Sequence, residues 1–176
     1  MGMYDTILVP TDGSPGFEQV IAHAGEVAEI HDADVLALYV VDATSYTGLP
    51  MEASWEGVRE VLDGQGEAAL TEVERLLDDG VDLETTTVEG RPNREIVRVA
   101  RERGVDCIVM GTHGRGGIDR LILGSVAERV VRTAPVPVVT VRLGTGGPGE
   151  SAGGDREQER DPEQDQDREP AAVGPG

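Results

Sequence analysis

Glycines bracket a single loop in the stretch from Cys107 to Val141, CIVMGTHGRGGIDRLILGSVAERVVRTAPVPVVTV. An apolar run, Cys107 to Met110, leads into Gly111-Thr112-His113-Gly114. Nine residues, Arg115 to Leu123, separate it from Gly124-Ser125, which opens a short helix. Glycine tolerates φ > 0 and lets backbone N–H groups come close to an anion. A helix start adds unpaired N–H groups and the positive end of a dipole. These residue types at this spacing predict a phosphate cradle. Glycines after a strand also make plain turns, but the bracketing and the Ser125-x-x-Glu128 that follows weigh against that simpler reading.

The other chemistry-bearing residues divide into candidates and bystanders. Ser125 and Glu128 match a capping box, which alone accounts for the serine, although a cap hydroxyl can also face a phosphate. Arg115 reads equally as a phosphate clamp or as a solvated loop charge. Asp12, in Thr11-Asp12-Gly13-Ser14, suits a turn in which its carboxylate accepts from its own loop. His113 stands alone between the glycines and reads as a bystander; His23 and His31 fall on the first helix. No His/Cys cluster has the spacing of a transition-metal site. Cys107, the single cysteine, reads as a buried and inert thiol. A Walker A loop is excluded because the chain has no lysine. A dinucleotide fingerprint after the first strand is excluded because Thr11-Asp12-Gly13-Ser14 holds one glycine. Gly144, Gly146 and Gly149 match that fingerprint by letter only, since Pro148 and a polar tail leave no helix to follow. No general base is evident, so the site reads as phosphate binding with at most slow turnover.

The elements that must position these residues alternate regularly. Tyr4–Pro10, Asp34–Asp42 and Asp106–Gly111 are apolar runs of buried strands, Val81–Glu89 alternates like an edge strand, and Val136–Arg142 is a fifth strand. Ser14-Pro15 offers an N-cap and a first-turn proline for a helix carrying Phe17, Val20, Ile21, Ala24, Val27 and Ala28 on one side, ended by Asp32. Ala43–Trp55 reads as a long loop in which Met51 and Trp55 pack down. Glu56–Asp79 is a helix weakened by Gly64 and Gly66. Gly90-Arg91-Pro92 starts a third helix that Gly104 ends, and Ser125–Thr133 is a fourth. The predicted class is α/β: a single doubly wound five-stranded parallel sheet with helices on both faces. In such sheets ligands bind beyond the carboxyl ends of the strands, where strand order reverses. If the first and fourth strands are neighbours there, Asp12 and Gly111 meet.

Residues 1–143 are predicted to form one domain, and 144–176 an acidic Gly/Pro-rich disordered tail. Net charge is −19, with fifteen arginines and no lysine; the tail contributes −6 and residues 1–143 the other −13. This surface repels nucleic acid and anionic membranes. It also suits a salt-rich cytosol, where screening lengths of about 3 Å relieve the self-repulsion. A high-GC genome is the ordinary alternative. No run of 18 apolar residues and no basic leader is present, so neither a membrane span nor a signal peptide is expected. Gly2 with Thr6 fits a myristoylation pattern, taken as chance because a buried strand starts there.

Gly111-x2-Gly114-x9-Gly124-Ser125 resembles the motif of ATP-binding members of the universal stress protein family. ILVPTDGS at 7–14, LYVVD at 38–42 and APVPVVTVR at 134–142 extend the resemblance over residues 3–143. It implies strand order 3-2-1-4-5 and an ATP site with Mg²⁺ held mainly by phosphate oxygens. Residue by residue, it implies that Gly111, Gly114, Gly124, Ser125 and Val126 cradle phosphate. Pro10, Thr11 and Asp12 would touch ribose and metal-bound phosphate, with Asp12 the metal-side ligand, and the Val40 backbone would meet adenine. It further implies a cytoplasmic homodimer paired antiparallel through Val136–Arg142, acting as a stress-response regulatory or protective module. A slow ATPase and a nucleotide-free dimeric interaction module are the alternatives.

Overall fold

The computed structural model of the chain describes residues 2–42, 55–113 and 123–143. Its elements run β1 (Thr6–Thr11), α1 (Glu18–His31), β2 (Asp34–Val41), α2 (Trp55–Leu76), β3 (Leu83–Glu89), α3 (Pro92–Arg103), β4 (Cys107–Gly111), α4 (Ser125–Thr133) and β5 (Val138–Val141). The sheet has the order β3-β2-β1-β4-β5, and every pairing is parallel.

Alternation along the strands builds two cores. Ile7, Val9, Val35, Ala37, Cys107 and Val109 face one side and meet Val20, Ile21, Ala24 and Ala28 of α1 and Val73 of α2. Leu8, Leu36, Leu38, Ile108 and Met110 face the other and meet Ile96, Val99 and Ala100 of α3 and Ala127 and Val130 of α4. Both faces are covered, which is why the central strands read as unbroken apolar runs. Each fully buried Leu, Ile or Val contributes about 1.5–3 kcal/mol. Cys107 is fully buried, and burial pushes its thiol pKa up, with the Tyr4 side chain acting in the opposite sense.

Local signals acted in ways the chain alone did not settle. Gly104 ends α3 in the left-handed region, φ 63°, with the Val105 N–H closing back on the Ala100 carbonyl at 3.1 Å. Asp32 ends α1 in the same conformation, φ 56°. Ser14 does not cap α1: the helix starts at Glu18, behind Phe17, with no side-chain cap. Ser14 is drawn instead to Asp12, and its carbonyl accepts from Phe17 N–H at 3.3 Å in a turn. The fifth strand spans Val138–Val141, shorter than expected; Pro137 before it has no N–H but still accepts from Ile108 N–H at 3.0 Å. The region of Met51, the side chain of Trp55 and the tail from residue 144 lie outside the described part. No helix among the described residues is long and apolar enough to cross a membrane.

Candidate functional site

Order reverses between β1 and β4. From β1 the chain passes to β2 on one side, and from β4 to β5 on the other. The loops leaving their carboxyl ends therefore diverge and open a crevice. A cavity of about 370 Å³ lies there, lined by Pro10, Thr11 and Asp12 after β1, by Val40 of β2 and by Gly111 to His113 after β4. Gly124, Ser125 and Val126 at the start of α4 close another side. The sequence-predicted residues Pro10, Thr11, Asp12, Val40, Gly111, Gly124, Ser125 and Val126 thus line one cavity. Gly114 and Arg115 lie outside the described residues.

The turn after β1 is tied by its own side chains. Asp12 Oδ1 accepts from the Ser14 N–H at 3.0 Å and from the Ser14 hydroxyl, and Thr11 Oγ1 accepts from the Gly13 N–H at 3.2 Å. The turn reading of Asp12 is therefore realised, and the same turn sets the carboxylate at the cavity wall. Asp12 is the one carboxylate in the described lining. That fits Mg²⁺ carried in with a nucleotide, an ion that uses one or two carboxylates and completes its shell with phosphate and water. Among the described residues no three His, Cys, Asp or Glu side chains gather as a metal cluster.

The start of α4 differs from the capping box expected of it. Gly124 is the N-cap, no side chain caps it, and Ser125 is already the first helical residue. The Gly124 N–H is pinned to the Thr112 carbonyl at 2.7 Å, which sets the helix start one residue earlier. Glu128 pairs with Arg132 at 2.9 Å instead. Ser125 is exposed at the cavity with its hydroxyl not committed to a cap. The amides of Ser125, Val126 and Ala127 precede the first intrahelical bond, from Glu128 N–H to the Gly124 carbonyl at 2.9 Å. Three N–H groups at a helix start suit an anion.

The glycines serve space rather than conformation. Gly124 has φ −60° and ψ 151°, open to any residue. A Cβ there would sit 3.0 Å from the Thr112 carbonyl oxygen and 3.4 Å from His113 Cα. Gly111 is likewise outside the positive-φ set, and its Cβ would press on the Leu143 side chain at 3.1 Å. The expectation of left-handed glycines is corrected at both positions: Gly124 allows close approach between the β4 loop and α4, and Gly111 stands against the Leu143 side chain after β5.

Other lining residues were not singled out from sequence. Phe17, Pro92, Ile96, Met110 and Ala127 give the cavity an apolar wall. Pro92 and Ile96 were findable, since the first turn of a helix that follows a parallel strand stands at the carboxyl end of the sheet. His113 is the larger omission. It lines the cavity, its Nδ1 lies 2.9 Å from Thr112 Oγ1, and its buried Nε2 has no hydrogen-bond partner among the described residues. The described lining has no lysine or arginine, so a bound anion there meets helix N–H groups, hydroxyls and imidazole.

The model of the Universal stress protein family matches residues 3–142. A universal stress protein of Methanocaldococcus jannaschii, MJ0531, is 44% identical over 141 residues, covering 80% of this chain and 83% of that protein. The structure of UspA from Lactobacillus plantarum superimposes with TM-score 0.68 at 29% identity, covering 79% of this chain and 98% of that one. A universal stress protein in complex with cAMP shares the fold at TM-score 0.57 and 24% identity, covering 80% and 98%. One from Archaeoglobus fulgidus in complex with dAMP does so at 0.53 and 23%, covering 78% and 98%.

Proposed function

The chain belongs to the universal stress protein family, and from that premise we propose that it is an ATP-binding, homodimeric, cytoplasmic module that regulates or protects under stress. One observation carries the nucleotide reading. The β1 turn, the end of β4 and the start of α4 converge on one cavity that joins an apolar wall to N–H groups and the Asp12 carboxylate. The apolar side, Val40, Pro92, Ile96 and Val126, suits a base; the α4 start suits phosphate; Asp12 would hold Mg²⁺ with phosphate oxygens. Relatives of this fold have been solved with cAMP and with dAMP, which supports an adenine nucleotide.

The test is mass spectrometry of nucleotide released from gently purified protein in KCl and Mg²⁺, beside Gly124→Val. ATP from the wild type and none from the variant is the expected result. ADP alone would turn the reading toward slow hydrolysis. No nucleotide, and no uptake of added ATP, would leave the interaction module in its place.

Dimerisation is proposed through Val136–Arg142. Val138, Val139 and Val141 are only half-buried on an edge strand, and a bare edge invites pairing. Val139 and Val141 lean on one core and Val136 and Val138 on the other, as expected of a strand apolar on both faces. Pro137 and Val141 carbonyls already serve β4, so by alternation the Thr140 amide points outward. Thr140→Pro removes that donor and should convert a dimer to monomer in light scattering, with β4 pairing kept. The net charge of −19 without lysine further supports a salt-rich cytosol. Folded stability that rises with KCl is the expected signature; unfolding as KCl is added would sink it.

A further inference from the structure

Thr112 and His113 follow the end of β4 and lie against the start of α4, and the Thr112 backbone is held on both sides. The Thr112 N–H donates to the Val141 carbonyl at 2.9 Å, and the Thr112 carbonyl accepts from Gly124 N–H at 2.7 Å. Next to this clamp, Thr112 Oγ1 lies 2.9 Å from His113 Nδ1, while His113 Nε2 is shielded from solvent without a partner among the described residues. A buried polar atom without a partner needs an explanation.

A neutral imidazole carries one proton, and two arrangements are open. If Nδ1 held it, Nδ1 would donate to the Thr112 oxygen and Nε2 would be a bare lone pair in the wall. The Thr112 hydroxyl proton would then have no acceptor among the described residues. If the hydroxyl donates to Nδ1, that proton and the Nδ1 lone pair are both used, and Nε2 carries N–H. Only the second arrangement gives the wall a donor beside the α4 start, whose field also draws negative charge.

We propose that Thr112 is a positioning residue: its hydroxyl holds His113 in the Nε2–H tautomer, so that the ring donates to an anionic oxygen of the bound nucleotide. The inference rests on the nucleotide reading above and adds the group that sets the donor. A methyl in place of the hydroxyl would leave the tautomer unbiased and the ring less well oriented.

The experiment uses the full chain with ¹⁵N-labelled histidine, ATP with Mg²⁺ as probe, long-range ¹H–¹⁵N spectra and calorimetry; His113→Gln assigns the signal. In the wild type the Nε2–H form is expected before ATP, with the Nε2 resonance moving on addition. Thr112→Val is expected to mix the tautomers and weaken ATP roughly three- to tenfold, and Thr112→Ser to restore both. Thr112→Ala is a second hydroxyl-free variant should the valine not fold. ATP binding with His113 in the Nδ1–H form, or hydroxyl-free variants that bind like the wild type, would overturn this inference alone. A wild type that binds no ATP would overturn the nucleotide reading and this inference with it.

Discussion

The two ends of the sheet use the same residue type for opposite purposes. At the amino end Asp106 precedes β4, and its Oδ2 accepts from Asp5 N–H at 2.8 Å and Thr6 N–H at 3.0 Å. The backbone repeats the stitch: Asp106 N–H to Thr6, Asp34 N–H to Asp5 and Val35 N–H to Asp82, each at 2.9 Å. This end holds a smaller cavity of about 220 Å³, where Arg103 already pairs with Glu84. At the carboxyl end Asp12 Oδ1 accepts from Ser14 within its own turn, and His113 Nε2 has no partner among the described residues. Short connections let the amino end satisfy itself. Diverging connections leave the carboxyl end with polar groups that a ligand can complete. The Asp106 carboxylate bridges strands, whereas the Asp12 carboxylate stands at the cavity wall, where a ligand can reach it.

The contrast breaks most visibly at Gly124. Val at this position presses a branched Cβ against the Thr112 carbonyl, whose residue is tied to β5 through its N–H. ATP affinity in calorimetry should fall on the order of 100-fold, about 2.7 kcal/mol. The two aspartates then separate on ATP affinity. Asp12→Ala should weaken Mg²⁺–ATP roughly tenfold, alongside a cost in ligand-free unfolding of about 1–3 kcal/mol because the buried Ser14 N–H and hydroxyl lose their acceptor. Asp106→Ala should cost about 1–3 kcal/mol in urea unfolding with ATP affinity unchanged, because two N–H groups lose a charged acceptor. If Asp106→Ala also loses ATP, the ends are coupled and the contrast fails.

Much of this was legible in the chain. Apolar strands alternating with amphipathic helices require a covered parallel sheet, whereas the order 3-2-1-4-5 is implied only by the family resemblance. What sequence could not weigh was competition between partners for one group. Ser14 and Ser125 both stand where a cap belongs, yet Ser14 goes to Asp12, and Gly124 takes the cap position because the Thr112 carbonyl pins it. His113 read as a bystander because isolation in sequence says nothing of its partner at Thr112 or of the unmatched Nε2. Glycine is a further case: its letter does not say whether conformation or space is the reason.

Gly64 and Gly66 of α2 show that ambiguity at its sharpest, and bear on how the carboxyl half of the sheet is buttressed. Both look like weak points in a helix, worth about 1 kcal/mol each relative to alanine. A Cβ at Gly64 meets nothing within 4 Å, so Gly64→Ala should stabilise by about that amount. A Cβ at Gly66 would sit 2.8 Å from Cδ1 of Tyr39, a buried ring at the register position beside Thr11. The ring must shift, and overpacking of this kind costs about 1–3 kcal/mol, which cancels or exceeds the propensity gain. Gly66→Ala should therefore be neutral to destabilising in urea unfolding. Because Tyr39 flanks the strand that feeds the Asp12 turn, ATP affinity should also weaken slightly in Gly66→Ala and not in Gly64→Ala. Equal stabilisation by both alanines would show that α2 yields freely, and that the carboxyl end is held in place by β4 and α4 alone.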